Sequence, residues 1–381
     1  MSERVVIVGN GVSGYACAAR LAENGVSVTL IGPGLPHDRP PLSKRALLTG
    51  RVPILADAAK LAERGIEHID GVVTFCDLDA RRLTVALSSG EEETLVEAPS
   101  LVWATGLRYP KPPIPGFDRA EENTTGAGLE SLVRHLAQPG LRVVVVGAGL
   151  IGTETAATLA SAHDVTLVDM VDRPLARLLP SVSAAAETAL GALGVAFLGS
   201  CSILSAEIAA DGAVVRTSSH GDLRCDVVIS AAGVRTSLPA ELAGPDPRAV
   251  TLPADGQLRV IGRERMWACG DCVSFPHPRW GRIGIPHWDH ALWSGRHVAD
   301  SILGSTAPYT RDPYFFSDIG PLRIQQVGAV DAAVAWHDQD GLAVGCDESG
   351  APACVLLVNA PARLLEARAL VASPETPVLH P

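Results

Sequence analysis

One glycine-rich motif occurs twice in this chain, and this repetition limits the possible folds more than any other feature. The copies are Gly9-Asn10-Gly11-Val12-Ser13-Gly14 and Gly147-Ala148-Gly149-Leu150-Ile151-Gly152. Each copy follows a run of β-branched residues and opens an alanine-rich stretch of helical character. Glycines in this context let the backbone approach a pyrophosphate, whose charge the helix N-terminus stabilises. Because strand and helix context recur at both copies, the sequence predicts two dinucleotide sites rather than two ordinary tight turns.

Length and composition are consistent with this prediction. The 381 residues are 47% hydrophobic and 19% charged, which is typical of a globular chain of two or three domains. No apolar run reaches the roughly 20 residues that span a bilayer, and the first residues lack the pattern of a signal peptide. We therefore expect a cytoplasmic protein. A net charge of −11 argues against nucleic acid or an anionic membrane surface as a partner.

The cysteines and histidines do not form a recognisable framework. Eight cysteines are scattered through apolar contexts, so most are expected to be small buried side chains rather than disulfide partners. A redox dithiol at Cys269-Gly270-Asp271-Cys272 is the less favoured alternative. The histidine spacing matches no zinc pattern, and we expect no metal site.

Proline-rich and apolar segments predict a domain that is split by an inserted one. Pro110-Lys111-Pro112-Pro113 looks like a stiff crossing, and Val227 to Gly233 closes the segment that carries the second motif. The predicted class is α/β, with two Rossmann-like dinucleotide-binding domains and a small α+β C-terminal domain. The predicted boundaries are 1–113 and 239–306 for the domain with the first motif, 114–238 for the inserted domain with the second motif, and 307–381 for the C-terminal domain.

Further motifs extend through nearly the whole chain. They are Asp38-Arg39-Pro40-Pro41-Leu42-Ser43-Lys44, Ala104-Thr105-Gly106, Ala268-Cys269-Gly270-Asp271-Cys272, His287-Trp288-Asp289-His290-Ala291 and Pro313-Tyr314-Phe315-Phe316-Ser317-Asp318. With these motifs the chain resembles the FAD-dependent ferredoxin reductases of bacterial oxygenase and cytochrome P450 systems, in the pyridine nucleotide-disulfide oxidoreductase superfamily. The resemblance implies FAD on the first glycine motif and a nicotinamide cofactor on the second.

The resemblance also implies which residues contact each cofactor. For FAD these are Gly9, Gly11, Val12, Ser13, Gly14, Arg39, Pro40, Lys44, Ala104, Thr105, Gly106, Asp271, His287, Trp288 and Phe316. For NADH they are Gly147, Gly149, Leu150, Ile151, Gly152, Glu154, Asp169 and Gly233. Asp271 would lie at the ribityl or pyrophosphate group, where a helix beginning after Gly270 would offer further donors. The alternative role for Asp271 is a simple helix N-cap.

Lys44 and Glu154 are the candidate catalytic residues that the resemblance implies. Lys44 would lie near the flavin N5 edge, and Glu154 would face it from the nicotinamide side. A fixed ammonium stabilises the negative charge that flavin acquires on reduction, and a carboxylate holds that lysine in position. The alternative for Lys44 is a solvated side chain after a Pro-Pro turn.

The choice of nicotinamide cofactor is indicated at the end of the strand after the second motif. Asp169 stands at the distance expected for a carboxylate that accepts hydrogen bonds from the adenosine ribose. Its charge would repel a 2′-phosphate, so we expect NADH to be preferred over NADPH by at least about tenfold.

The chain departs from the family pattern in places. Gly32-Pro33-Gly34 follows the strand Val28 to Ile31 where family members carry an acid, so we expect the adenosine end of FAD to be held less firmly. Pro286, Ser294 and Phe316 replace frequent family residues near the flavin. These changes bear on the electron acceptor more than on the cofactor.

The resemblance implies that NADH reduces FAD and that electrons then pass to a small 2Fe-2S ferredoxin-type acceptor. Arginines could form its docking patch, although ordinary surface charge explains them equally well; they are Arg279, Arg282, Arg296 and Arg311. Two alternatives stay open. The chain could act directly on a small-molecule substrate in a biosynthetic pathway, or it could be a non-catalytic nucleotide-binding protein that senses NADH.

Overall fold

The chain forms two compact units, each with one copy of the glycine motif. The computed structural model describes residues 4–38, 40–90, 93–108, 110–123, 125–209, 211–236, 238–243, 251–339 and 342–372. The first unit comprises the described parts of Met1–Asp38, Pro53–Arg108 and Arg235–Tyr314. The second comprises those of Arg39–Val52, Tyr109–Val234 and Phe315–Pro381.

Helices of very different length occur along the described chain. They are α1 Val12–Glu23, α2 Arg45–Thr49, α3 Ala58–Glu63, α4 Gly126–His135, α5 Leu150–Leu159, α6 Pro180–Ala192, α7 Ala240–Ala243, α8 Trp288–Ile302 and α9 Leu364–Ala372. α1 and α5 begin directly after the second glycine of their motifs, as the sequence predicts. The buried residues of α1 recur at intervals of three and four, which gives the helix one apolar face.

A parallel sheet of five strands forms the centre of the first unit. In spatial order its strands are Met266–Ala268, Ser100–Trp103, Val5–Val8, Val28–Ile31 and Ile66–Ile69. Every residue of Val5–Val8 is buried, because a central parallel strand is covered on both faces. In its described residues, the first unit also contains three smaller sheets. One consists of Gly71–Asp77, Arg82–Leu87 and Thr94–Glu97, and a second of Leu252–Pro253, Val273–His277 and Gly281–Ile283. The third is the pair Leu107–Arg108 and Arg235–Thr236.

The second unit repeats the parallel arrangement with four strands. In order they are Ala196–Leu198, Asp164–Val168, Arg142–Val146 and Val227–Ser230. An antiparallel sheet of Ile203–Ala209, Gly212–Thr217 and Asp222–Cys225 adjoins it in sequence. A five-stranded sheet follows near the C-terminus, with the order Tyr314–Ile319, Leu322–Gly328, Pro352–Val358, Leu342–Cys346 and Ala335–Gln339.

The predicted α/β class with two Rossmann-like sheets is confirmed. The C-terminal sheet does not have a core to itself, because Ile324 and Leu356 belong to the same hydrophobic cluster as Val182 and Leu190 of α6. The boundaries of the three predicted domains therefore stay a prediction. No helix in the described part of the chain combines the length and apolar character needed to cross a membrane.

Candidate functional site

The first glycine motif forms a cradle whose shape is set by backbone contacts. Gly9 has a φ of +109°, and a Cβ there would overlap the carbonyl oxygen of Ala104. A Cβ on Gly14 would overlap the carbonyl oxygen of Gly9. A Cβ on Gly11 would instead meet no described atom within 4 Å. The outer glycines are therefore required by packing, whereas Gly11 leaves an open face beside the start of α1.

That open face lies at a helix N-terminus. α1 begins at Val12, and its cap residue Gly11 offers no side-chain hydrogen bond to the first turn. Ser13 is buried in this turn. The first amide groups and the positive end of the helix dipole suit a pyrophosphate. The segment Ala104 to Gly106 runs beside the cradle, with the Ala104 N–H bonded to the Val8 carbonyl at 2.7 Å.

The Gly270-Asp271 motif packs against the same cradle. A Cβ on Gly270 would lie 2.5 Å from Ser13 Oγ, and the Gly270 N–H donates to Ser294 Oγ at 2.9 Å. Asp271 follows and is half-buried. The expectation of a helix after Gly270 was wrong. Gly270–Cys272 is one 3-10 turn, and the chain continues as the strand Val273–His277, in which every residue except Pro276 is buried.

His287 and Trp288 lie at the start of α8 in the first unit. His287 is the N-terminal cap residue, and its ring meets the edge of Tyr314 at 6.5 Å between centroids. Trp288 Nε1 is buried and has no acceptor among the described residues. An unpaired indole N–H is costly to bury, so a bound polar group at this position fits the structure.

A buried histidine follows one residue after Asp289. His290 stacks on Phe275 at 5.5 Å, and its Nδ1 lies 3.0 Å from the Tyr309 hydroxyl. Burial lowers the pKa of His290 to about 4, so the ring is neutral at pH 7. Arg311 donates to both carboxylate oxygens of Asp289, at 2.6 and 3.0 Å, which fixes the start of α8.

The second glycine motif repeats the cradle in the second unit. Gly147 also has a φ of +109°, and a Cβ there would lie 2.6 Å from the Ala231 carbonyl oxygen. A Cβ on Gly152 would overlap the Gly147 carbonyl oxygen, and one on Gly149 would meet no described atom within 4 Å. α5 begins at Leu150, with no side-chain cap from Gly149, and continues through Ile151.

Asp169 lies at the carboxyl end of the neighbouring strand. Its Oδ2 accepts the Ala148 N–H at 2.5 Å, and its Oδ1 accepts the Val171 N–H at 3.2 Å. The carboxylate is half-buried and oriented by the motif itself. Gly233, with a φ of +81°, follows the strand Val227–Ser230 of the same sheet. Each of these positions agrees with a ribose site next to a pyrophosphate site.

Lys44 and Glu154 form a close ion pair in the second unit. Lys44 Nζ lies 2.9 Å from Glu154 Oε1, and Glu154 is only 6% exposed. Two buried hydroxyls also donate to this carboxylate, Ser43 Oγ at 2.6 Å and Ser317 Oγ at 2.6 Å. The carboxylate therefore has three donors, which offset the cost of burying its charge and hold the ammonium in one position.

The sequence analysis did not assign the two serines. Both lie inside quoted motifs, directly before Lys44 and directly after Phe316, and this position was the available signal. Phe316 itself is half-buried, with the Arg323 guanidinium 5.6 Å from its ring centroid. Arg39 lies outside the described residues, and Pro40 begins the 3-10 turn Pro40–Ser43.

The cysteines behave as buried apolar side chains. All eight are free and buried, as expected. Burial raises the pKa of Cys272 to about 12 and raises that of Cys269 as well, which disfavours the thiolate that dithiol chemistry needs. Among the described residues, no group of three or more His, Cys, Asp or Glu side chains is arranged to hold a metal ion.

Comparisons with known proteins identify a family model and several proteins that this chain resembles. The model of the pyridine nucleotide-disulphide oxidoreductase family matches residues 3–295. Rhodocoxin reductase of Rhodococcus erythropolis is 32% identical over 355 residues, which cover 86% of this chain and 79% of that protein. The ferredoxin reductase component of chlorobenzene dioxygenase from Cupriavidus sp. (strain PS12) is 30% identical over 405 residues, covering 97% and 94%.

A solved structure shows the same architecture. The crystal structure of the ferredoxin reductase for the CYP199A2 system from Rhodopseudomonas palustris matches with a TM-score of 0.83 and 27% identity, covering 94% of this chain and 91% of that one. The resemblance that the motifs indicated is thus confirmed. This chain belongs to the pyridine nucleotide-disulphide oxidoreductase family.

Proposed function

We propose that this protein is an FAD-dependent NADH oxidoreductase that delivers electrons to a small 2Fe-2S ferredoxin. The observation that carries the proposal is the presence of two glycine cradles of the same geometry in one chain, each at a helix N-terminus without a side-chain cap. The printed names of the similar proteins, which are reductases of oxygenase and P450 systems, support the ferredoxin acceptor.

FAD fits the residues of the first unit. The open face at Gly11 admits a pyrophosphate, and the unpaired Trp288 N–H offers a donor to a bound polar group. In the first unit, the residues that would hold FAD are Gly9, Gly11, Val12, Ser13, Gly14, Ala104, Thr105, Gly106, Asp271, His287 and Trp288. When bound, FAD accepts a hydride from a nicotinamide and releases electrons singly to an iron–sulfur protein.

The second unit would hold NADH and supply a fixed charge. The amides at the start of α5 bind its pyrophosphate, while Asp169 accepts hydrogen bonds from the ribose and repels a 2′-phosphate. Lys44 carries a positive charge whose position is held by Glu154. The role that the family resemblance implies for Lys44 is to stabilise negative charge on reduced flavin. Ser43 and Ser317 keep Glu154 in place.

The first unit carries the arginines that we propose for ferredoxin docking. Arg296 and Arg311 both lie against Trp293, with guanidinium carbons 5.2 and 4.5 Å from its ring centroid. Trp293 is 38% exposed, which suits an interface residue. Arg282 bonds to the Ala254 and Ser274 carbonyls, so its guanidinium is partly engaged within the unit. Arg296 is therefore the strongest candidate for contact with an acidic partner.

A cytoplasmic location is part of the proposal. All eight cysteines are free thiols, which is typical of a reducing compartment.

Electron transfer to cytochrome c tests the acceptor. NADH-dependent reduction of cytochrome c should require an added 2Fe-2S ferredoxin and should weaken as salt increases. Fast NADH oxidation that a small organic acceptor stimulates, but that none of a panel of ferredoxins does, would favour the small-molecule alternative instead. No NADH oxidation with any acceptor would favour a nucleotide sensor.

A further inference from the structure

The two nucleotide units differ at one equivalent position. Gly9 N–H bonds to the Ile31 carbonyl at 2.8 Å, and Gly147 N–H bonds to the Val168 carbonyl at 2.9 Å. The residues that follow these two carbonyls, Gly32 and Asp169, therefore correspond. Asp169 supplies a carboxylate, whereas Gly32 supplies no side chain.

The side chain of Asn10 occupies the space that Gly32 leaves. A Cβ on Gly32 would overlap the Asn10 amide, with Oδ1 at 2.5 Å. Asn10 is 5% exposed and stands in the motif where the second unit has Ala148. An amide that comes from the glycine motif thus lies where the second unit has its carboxylate, and it excludes an acid at position 32.

Hydrogen bonds fix the orientation of this amide. Asn10 Nδ2 donates to the Gly34 carbonyl at 2.7 Å and to the Pro33 carbonyl at 3.3 Å. Gly34 is held in turn, because its N–H donates to Asp70 Oδ1 at 2.8 Å. With both amide hydrogens directed at carbonyl groups, Oδ1 is the atom of Asn10 that can accept a hydrogen bond from a ligand.

We propose that Asn10 recognises the adenosine ribose of FAD, with its Oδ1 accepting a hydrogen bond from a ribose hydroxyl in place of the usual carboxylate. This inference rests on the proposed FAD function. A neutral acceptor forms a weaker hydrogen bond than an ionised one, so the ribose hydroxyls should contribute about tenfold to affinity. A carboxylate at the same place would contribute about a hundredfold.

An exchange experiment on the FAD-loaded protein tests the contact without measuring activity. The protein is equilibrated with FAD and with an FAD analogue whose adenosine ribose lacks both hydroxyls, and the bound fractions are compared. The unmodified protein should prefer FAD by about tenfold, whereas Asn10→Ala should not discriminate. An Asn10→Ala protein that discriminates as strongly as the unmodified one would overturn the proposal.

A second variant reproduces in the first unit the residues that the second unit has at the two positions. It tests the proposal even if Asn10→Ala loses FAD altogether. Asn10→Ala combined with Gly32→Asp reproduces the Ala148 and Asp169 arrangement and should prefer FAD by about a hundredfold. A double variant that does not discriminate would contradict the proposal.

The matched control is Asn24→Ala, at an exposed asparagine of the first unit, which should leave this exchange unchanged. If the unmodified protein binds no FAD, the proposed function fails. If it binds FAD but does not discriminate, only this inference fails.

Discussion

The two nucleotide units share their backbone and differ in their side chains. Both cradles place their first glycine at a φ of +109°, and both would suffer the same overlap from a Cβ on their last glycine. After the neighbouring strand, Asp169 in the second unit corresponds to Gly32 in the first, where the Asn10 amide fills the space beside the glycine. Steric packing therefore dictates the cradle, while the chemistry around it is free to diverge.

The helices after the two motifs also differ. Glu154, two residues after Gly152, is buried and paired with Lys44, whereas the corresponding residue of α1 is Ala16. The second unit therefore carries the charged residues that we assign to NADH and to the reaction. At the two compared positions the first unit carries the neutral residues Asn10 and Ala16.

The glycines that both cradles share should give the largest effects on stability when they are replaced. Gly14→Ala and Gly152→Ala should each destabilise the protein by about 3 kcal/mol, because the new methyl group overlaps a backbone carbonyl. Gly149→Ala should change stability by less than about 1 kcal/mol, since its Cβ points into open space. Urea unfolding of the three variants measures this. Equal stability for all three would show that the cradle is not set by packing.

Lowering the pH should reduce the free energy of unfolding through His290, a buried residue of the first unit. The pKa of this residue is about 4 in the folded protein, below its ordinary value of 6.5, so the unfolded chain binds a proton first as the pH falls. Stability is complete above pH 6.5 and should drop by roughly 3 kcal/mol as the pH falls to about 4. His290→Gln should flatten this dependence in urea unfolding at several pH values. An unchanged slope would exclude His290 as its source.

A variant of Glu154 tests whether its ion pair, which the corresponding Ala16 cannot form, contributes to the reaction. Glu154→Gln removes the anion that holds Lys44, so anaerobic stopped-flow should show flavin reduction by NADH slowed about a hundredfold. The matched control is Glu187→Gln, because Glu187 is an exposed residue of α6 in the same unit. Should Glu154→Gln and its control reduce at the same rate, the buried ion pair would have no role in the reaction.

Asp169 is expected to set the choice of nicotinamide. Asp169→Asn should lower kcat/KM for NADH about tenfold and leave kcat/KM for NADPH unchanged or higher, since the charge that repels a 2′-phosphate is gone. Asp172→Asn, at a nearby exposed carboxylate, serves as the control. An unmodified enzyme that already uses NADPH as well as NADH would refute this assignment.

A variant of Arg296 should have the smallest effect of those predicted here. It should affect electron transfer to ferredoxin and not flavin reduction by NADH. Arg296→Glu should raise the KM for ferredoxin about fivefold at low salt through charge repulsion, without altering flavin reduction by NADH. Steady-state assays at two ionic strengths, together with stopped-flow, separate the two steps. A loss in NADH reduction would place Arg296 in the cofactor site instead.

Local patterns predicted much of the architecture. β-branched runs before glycine motifs predicted both parallel sheets, since strand, turn and helix are adjacent in sequence there. The predicted helix after Gly270 failed because Val273 and Phe275 bury on one face of a strand, which requires knowledge of the surrounding core.

Contacts between distant residues were beyond prediction from one sequence. Ser43 and Ser317 reach Glu154 across 111 and 163 positions of the chain. The sequence likewise showed that position 32 has a glycine and not an acidic residue. Only the structure shows that the side chain of Asn10 fills the space beside this glycine. Such substitutions arise from packing between a loop and a turn, and no periodicity marks them.

The absorbance spectrum of the freshly purified protein, followed by anaerobic addition of NADH, tests the central claim most directly. We expect flavin bands at about one FAD per chain that bleach when NADH is added, because one cradle would hold each nucleotide. A colourless protein that stays colourless after incubation with FAD would contradict the assignment of the first cradle, and with it the proposed enzyme.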